Sequence, residues 1–72
     1  MDEKSLLQAV KQRYKVSGVA AKELSKQVKY FLEANGFTHF IDDVRRSFGK
    51  EYAANFAVEI FHRRVYEAER RI

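Results

Sequence analysis

Apolar and polar residues follow one another along this chain with helical spacing, and three glycines mark the places where the spacing breaks. Within each segment apolar side chains recur every three or four residues, which is the pattern of an amphipathic helix. We place the segments at about residues 2–14, 19–35, 38–48 and 50–72. The pattern predicts an all-α fold, a small bundle of three to four helices, in one domain covering residues 1–72.

The junctions between the segments carry signals that start and end helices. Ser17 precedes the second segment and Thr38 is the first residue of the third, and each can accept a hydrogen bond from a free backbone N–H, as an N-cap does. Gly36 follows Asn35 and can adopt the left-handed conformation that closes a Schellman motif. A β-hairpin turning at Asn35-Gly36 is the alternative, although both flanks keep helical spacing. Gly49 either ends the third helix or interrupts a longer one.

The last segment is predicted to be the longest helix, and an apolar seam runs along its C-terminal half. The seam has the 3.5-residue period of a coiled coil. A helix of about 22 residues is about 33 Å long, so we expect its end to project beyond the shorter helices. A second copy is the simplest cover for a projecting apolar stripe, so we predict a homodimer through this helix. The predicted interface residues are Val58, Phe61, Val65, Ala68 and Ile72.

The composition agrees with a packed core that needs support from association. The 72 residues include six Phe and four Tyr but no cysteine, which excludes disulfides and thiolate metal sites. Domains of this size have thin stability margins, so an oligomer partner is the remaining means of support. No apolar run approaches the roughly 18–20 residues of a membrane span, and the N-terminus lacks the apolar stretch of a secretory signal. We therefore expect a cytoplasmic protein that does not enter membranes.

Positive charge points to a polyanionic partner. The formal net charge is +4. Three lysines in the second segment, Lys22, Lys26 and Lys29, share one helix face, and Lys15 lies just before it. The short glycine-containing connection gives the first two helices the outline of a helix-turn-helix. Lysine ammonium groups bind phosphates, so we predict a small regulatory protein that binds nucleic acid, DNA above all. The alternative is an ordinary solvated helix face.

Arginine pairs in the last segment are a further basic feature. Arg63 and Arg64 are followed seven residues later by Arg70 and Arg71. Guanidinium groups match phosphate geometry, so Arg63 and Arg64 join the candidate nucleic-acid-binding residues. Glu59 lies four residues before Arg63, however, and such a pair is also typical of an exposed, salt-bridged helix.

A protein-interaction module is the competing interpretation of function. Four aromatic residues fall off the apolar stripes or at their edges: Tyr30, Phe40, Tyr52 and Tyr66. Aromatic residues and arginine are common in the hot spots of protein interfaces. With a rim of mixed charge, they would suit an adaptor, an inhibitor or an immunity-type factor.

The sequence gives little support for catalysis. The chain has two histidines and no cysteine, so a nucleophile with an adjacent base is hard to assemble. His39 with Asp42 or Asp43 could share a helix face, but no third ligand follows at a suitable spacing. A glycine-rich phosphate loop is also absent. We therefore predict a protein that is not an enzyme, with no metal, no cofactor and no small-molecule substrate.

Overall fold

The structure, a computed structural model, describes residues 2–67. It contains the helices α1 (Glu3–Tyr14), α2 (Gly18–Ala34), α3 (Thr38–Phe48) and α4 (Lys50–His62). Helix α4 continues directly into one π-helical stretch, Arg63–Glu67. No strand occurs in residues 2–67, which confirms the predicted all-α fold and shows that the hairpin alternative at Asn35-Gly36 is wrong. Within the same residues, no helix has both the length and the apolar character needed to cross a bilayer.

The start of α1 is fixed by an aspartate cap. The Asp2 carboxylate accepts hydrogen bonds from the Ser5 backbone N–H at 3.0 Å and from the Ser5 hydroxyl at 2.8 Å. These bonds stabilise the charged form, so they hold the pKa of Asp2 below its usual value. At the other end of α1, Lys15 is left-handed with φ 53° and donates its N–H to the Lys11 carbonyl.

The end of α2 is a Schellman motif, as the sequence predicts. The Phe37 N–H donates to the Leu32 carbonyl at 2.8 Å, and the N–H of Gly36, at φ 71°, donates to the Glu33 carbonyl at 3.2 Å. The Phe37 ring then packs edge-on against Phe31, with ring centroids 5.9 Å apart. This local closure turns the chain directly into α3.

The two predicted N-cap side chains do not act as caps. Ser17 occupies the cap position of α2, but its side chain makes no capping hydrogen bond. Thr38 is already the first residue of α3, and Phe37 holds the cap position instead. The prediction for Thr38 is therefore wrong, because the Schellman motif leads into α3 without an intervening residue.

The core is centred on α4, which packs against α1, α2 and α3 and most extensively against α1 and α3. Ala53, Ala54 and Ala57 are completely buried on α4, and such small side chains allow the neighbouring helices to approach closely. Larger core residues come from all four helices: Leu6, Val10, Val28, Leu32, Ile41, Val44, Val58 and Phe61.

The predicted dimer seam is largely part of this core. Val58 is 1% exposed and Phe61 is 3% exposed, so a second copy cannot reach either side chain. Val65 is half-buried and packs against the same core. Ala68 and Ile72 lie outside the described residues. Val58 and Phe61 are therefore core residues of this chain rather than an exposed seam, because they pack within the hydrophobic core of the bundle.

Gly49 separates α3 and α4 into two helices. Its backbone has φ 97° and ψ 164°, a conformation that is close to glycine-only. The Gly49 N–H donates to the Arg45 carbonyl and ends α3, while the Gly49 carbonyl accepts from the Ala53 N–H and begins α4. Gly49 therefore ends α3 rather than interrupting one longer helix, and it is the single residue between α3 and α4.

Candidate binding surfaces

Four aromatic side chains form a continuous row across α3 and α4, which we call the aromatic row: Phe40, Phe56, Tyr52 and Phe48. The Phe40 and Phe56 rings meet edge to face with centroids 5.6 Å apart. Tyr52 stacks on Phe48 at 4.8 Å and lies almost parallel to Phe56 at 6.4 Å. The row joins the outer edges of two helices into one apolar surface.

The aromatic row is open to solvent. Phe40 is 50% exposed, Phe48 65% and Tyr52 51%, while Phe56 is half-buried beneath them. Single exposed apolar side chains are ordinary, but contiguous apolar patches on a monomer often mark binding sites. Three rings that are each half or more exposed and are connected through Phe56 therefore single out this face.

Local sequence explains how the row is assembled. Phe48 is the last residue of α3 and Tyr52 lies in the first turn of α4, so the turn at Gly49 brings their rings together. Tyr52 and Phe56 are four residues apart on α4 and therefore neighbours on one helix face. Phe40 reaches the same face from α3, which packs alongside α4.

A shallow groove continues the row along α4. Tyr52, Phe56 and Ile60 supply its apolar part, and Asn55, Glu59 and Arg63 supply its polar part. Glu59 accepts a hydrogen bond from the Arg13 Nε at 2.6 Å, and the Arg63 Nε lies 3.9 Å from its second oxygen. The groove thus has an apolar centre and a rim of mixed charge.

The aromatic residues named from sequence divide between this face and other places. Phe40 and Tyr52 belong to the row. Tyr30, at 74% exposure, lies on α2. Tyr66 packs beside Tyr14 and His62. Sequence reasoning missed Phe48 because it continues the apolar stripe of α3; its position directly before Gly49, at the end of the helix, was the available signal.

The three lysines predicted to bind nucleic acid lie along one groove in the structure. Lys22, Lys26 and Lys29 line one shallow groove with Leu6, Leu7 and Glu3 of α1; we call this the lysine groove. The Lys29 Nζ lies 2.5 Å from a Glu3 oxygen, and this hydrogen bond and charge hold the pKa of Glu3 below its usual value. The Lys26 Nζ lies 3.7 Å from a Glu23 oxygen. Acidic partners therefore offset part of the charge of the groove.

The other candidate basic residues lie elsewhere. Lys15 is exposed at the end of α1. Arg63 pairs with Glu59, as its spacing allows, and the Arg64 guanidinium lies 6.0 Å from the centre of the Phe37 ring. Arg63 and Arg64 do not line the lysine groove.

A cluster of Tyr14, His62 and Tyr66 connects the C-terminal ends of α1 and α4. The Tyr14 hydroxyl and the His62 Nδ1 are hydrogen-bonded at 3.0 Å, with Tyr66 against both rings. Burial raises the pKa of the Tyr14 phenol, and nearby Tyr66 adds to this effect. The hydrogen bond connects the C-terminal ends of α1 and α4. Within residues 2–67 no group of three or more potential metal ligands is assembled.

Comparison with protein-family models, with curated proteins and with solved structures gives no match. The function is therefore inferred from the chain's own residues. The two surfaces that carry an inference are the aromatic row and the lysine groove.

Proposed function

We propose that this chain is a protein-binding module and that the aromatic row is its docking surface. The observation that supports the proposal is the exposure of Phe40, Phe48 and Tyr52, whose rings are connected through Phe56. Rings held against each other lose little further side-chain freedom when a partner covers them, so their burial is favourable.

The size of the row suits a binding hot spot. A buried aromatic side chain hides about 150–250 Å², so covering the exposed parts of three rings would remove roughly 250–450 Å² from water. At about 25 cal/mol per Å², the gross gain is roughly 6–11 kcal/mol. Association itself costs about 4–15 kcal/mol, so the row supports modest affinity and needs a polar rim to complete it.

The surroundings of the row favour protein over nucleic acid as the partner. Aromatic rings can also stack on bases, but stacking platforms lie in positively charged grooves that follow the phosphate backbone. Here Glu59 lies in the groove beside the row and is shared between Arg13 and Arg63. This mixture of one carboxylate and two guanidinium groups is typical of the polar rim of a protein interface.

A photocrosslinking experiment tests this proposal. p-Benzoylphenylalanine replaces Phe48 in the full chain, with the same replacement at Tyr30 as the matched control, and both proteins are irradiated in cells of the native host. Because Phe48 belongs to the row and Tyr30 does not, we expect a discrete protein adduct from position 48 and none from position 30. Equal adducts from both positions, or none from position 48, would contradict the proposal.

Nucleic-acid binding is the second candidate function, supported by the meeting of Lys22, Lys26 and Lys29 in one groove on a chain of net charge +4. Exposed Lys15 precedes the same helix, and α1 and α2 would then act as the helix-turn-helix-like pair. Three phosphate contacts would make the affinity for a labelled DNA duplex fall about 40-fold between about 50 and 200 mM salt. Changing all three lysines to Glu should abolish this binding.

The control for that experiment carries the same change in net charge at another place. It reverses three exposed basic residues outside the lysine groove: Arg45, Arg46 and Lys50. If both triple variants lose binding equally, overall charge rather than the groove holds DNA. If the unchanged chain fails to bind at low salt, the candidate is wrong.

A further inference from the structure

We infer that the lysine groove is a second docking surface of this chain, and that its occupant is an acidic peptide segment with an apolar side chain. The groove lies between α1 and α2 and shares no residue with the aromatic row, so the inference goes beyond the function proposed for the row. It gives the groove an occupant of a different chemical class from the nucleic acid considered above.

The inside of the groove is apolar although its rim is charged. Leu6 and Leu7 line the α1 side, where Leu6 is completely buried and Leu7 is half-buried. The hydrocarbon stems of the lysines add to this apolar surface, because such side chains keep only their charged ends in water. Phosphates of a duplex would meet the ammonium groups alone, whereas a peptide can also place an apolar side chain against Leu7.

Positive charge without an ion-pair partner gathers at one end of the groove, where α1 leads into α2. The contact of Glu3 with Lys29 fixes how the two helices lie side by side, so Lys11 and Lys22 fall at the opposite end. Lys15 directly follows α1 at that same end. Within residues 2–67, Lys11, Lys15 and Lys22 make no ion pair. Charge complementarity therefore favours acidic side chains on the occupant at this end.

The chain's own acidic residues near the groove are engaged elsewhere along it. Glu3 is bonded to Lys29, and a Glu23 oxygen lies 3.7 Å from the Lys26 Nζ. Glu33 lies beyond Lys29 and lines a neighbouring hollow between α2 and α3. These carboxylates lower the charge at the Lys29 end and leave the other end basic.

Ser25 adds an independent sign that the groove takes a ligand. It lies on the α2 wall, and its hydroxyl oxygen is buried without a hydrogen-bond partner among the described residues. A buried polar group without a partner costs free energy. A peptide carries backbone N–H and C=O groups along its length, so one that enters the groove offers a partner towards which the Ser25 hydroxyl can turn.

The length of the groove suits a short segment. Lys22 and Lys29 are seven residues apart on α2, which is about 10 Å along a helix. An extended peptide covers that distance in roughly three residues. Contacts of this size belong to weak, transient complexes, so the occupant should bind reversibly.

Fluorescence polarisation of labelled peptides with the full chain tests the inference. The probe is a short glutamate peptide with one leucine at its centre. Two controls of equal length have serine in place of the leucine, or lysine in place of every glutamate. We expect the leucine probe to bind and the serine control to bind at least about tenfold more weakly, because burying one leucine side chain contributes that much. The lysine control should not bind, because its charge repels that of the groove.

Two charge reversals locate the binding site. Lys22→Glu should weaken binding of the leucine probe about fivefold or more, because it turns attraction into repulsion at the basic end of the groove. Lys50→Glu makes the same change in net charge at an exposed lysine outside the groove, and it should leave the affinity within about twofold. Circular dichroism checks that both variants remain folded.

Equal binding of the leucine and serine peptides would overturn the inference, because charge alone would then hold the occupant. Equal losses in Lys22→Glu and Lys50→Glu would also overturn it, as would no binding of the leucine probe up to about 1 mM. If the labelled DNA duplex binds more tightly than the leucine probe and competes with it, the groove is a nucleic-acid site instead. Lys22→Glu should leave the position-48 adduct unchanged, so the adduct tests the aromatic row separately.

Discussion

Replacing Phe61 with alanine is expected to lower the free energy of unfolding by about 3–5 kcal/mol, the usual cost of truncating a buried phenylalanine. The side chain is 3% exposed and belongs to the hydrophobic core. Its ring meets Phe31 of α2 edge to face at 5.7 Å and Tyr66 at 6.3 Å. Alanine would leave a cavity where α4 packs on α2, and the neighbouring rings can close it only partly.

The loss is large relative to the stability of so short a chain. At about 0.05–0.15 kcal/mol per residue, a domain of this length has a total stability of roughly 4–11 kcal/mol. Urea unfolding followed by circular dichroism at 222 nm measures the difference. Tyr30→Ala is the matched control, because its ring is 74% exposed and its removal should change the stability by less than about 0.5 kcal/mol.

Protein concentration separates a core role for Phe61 from a role in a dimer seam. Stability contributed by a subunit interface rises with protein concentration, whereas stability contributed by the monomer core does not. The loss caused by Phe61→Ala should therefore be the same at low and high concentration. A loss that vanishes on dilution would return Phe61 to the dimer interface.

Much of the helix layout could be predicted from the spacing of apolar residues and the positions of glycines. The third helix spans Thr38–Phe48 as predicted, because Gly36 and Gly49 impose sharp ends on either side. The spacing of apolar residues did not predict which face of α4 is buried, because α4 has apolar residues around most of its circumference. A helical period fits the pair Val58 and Phe61 as well as the pair Tyr52 and Phe56. Which of these two faces of α4 is buried depends on where α1, α2 and α3 pack.

The candidate surfaces were predictable to a similar degree. Helical spacing placed Lys22, Lys26 and Lys29 on one face correctly, because that depends on a single helix. The pairing of Lys29 with Glu3 could not be predicted, since it joins residues 26 positions apart on two helices. Only two members of the aromatic row, Phe40 and Tyr52, were named from sequence. The row itself could not be predicted, because it crosses from α3 to α4 and forms only in the tertiary structure.

Gly49→Ala is expected to cost about 1–3 kcal/mol, because its φ of 97° and ψ of 164° lie in a region that side chains avoid. A Cβ at Gly49 would meet no atom within 4 Å, so the cost is one of backbone conformation rather than of collision. Gly18→Ala is the matched control. Gly18 begins α2 without a positive φ and also has open space around it, so alanine there should be neutral or stabilise by up to about 1 kcal/mol.

The same substitution should also weaken binding through the aromatic row. Phe48 and Tyr52 stack at 4.8 Å across the Gly49 turn, so a backbone that abandons this conformation separates the rings. We expect Gly49→Ala to reduce the yield of the position-48 adduct in the photocrosslinking experiment, while Gly18→Ala leaves it unchanged. Urea unfolding of both variants measures the change in the free energy of unfolding separately from the change in crosslinking. If Gly49→Ala is as stable as the unchanged chain and crosslinks equally well, neither the turn nor the row depends on this glycine.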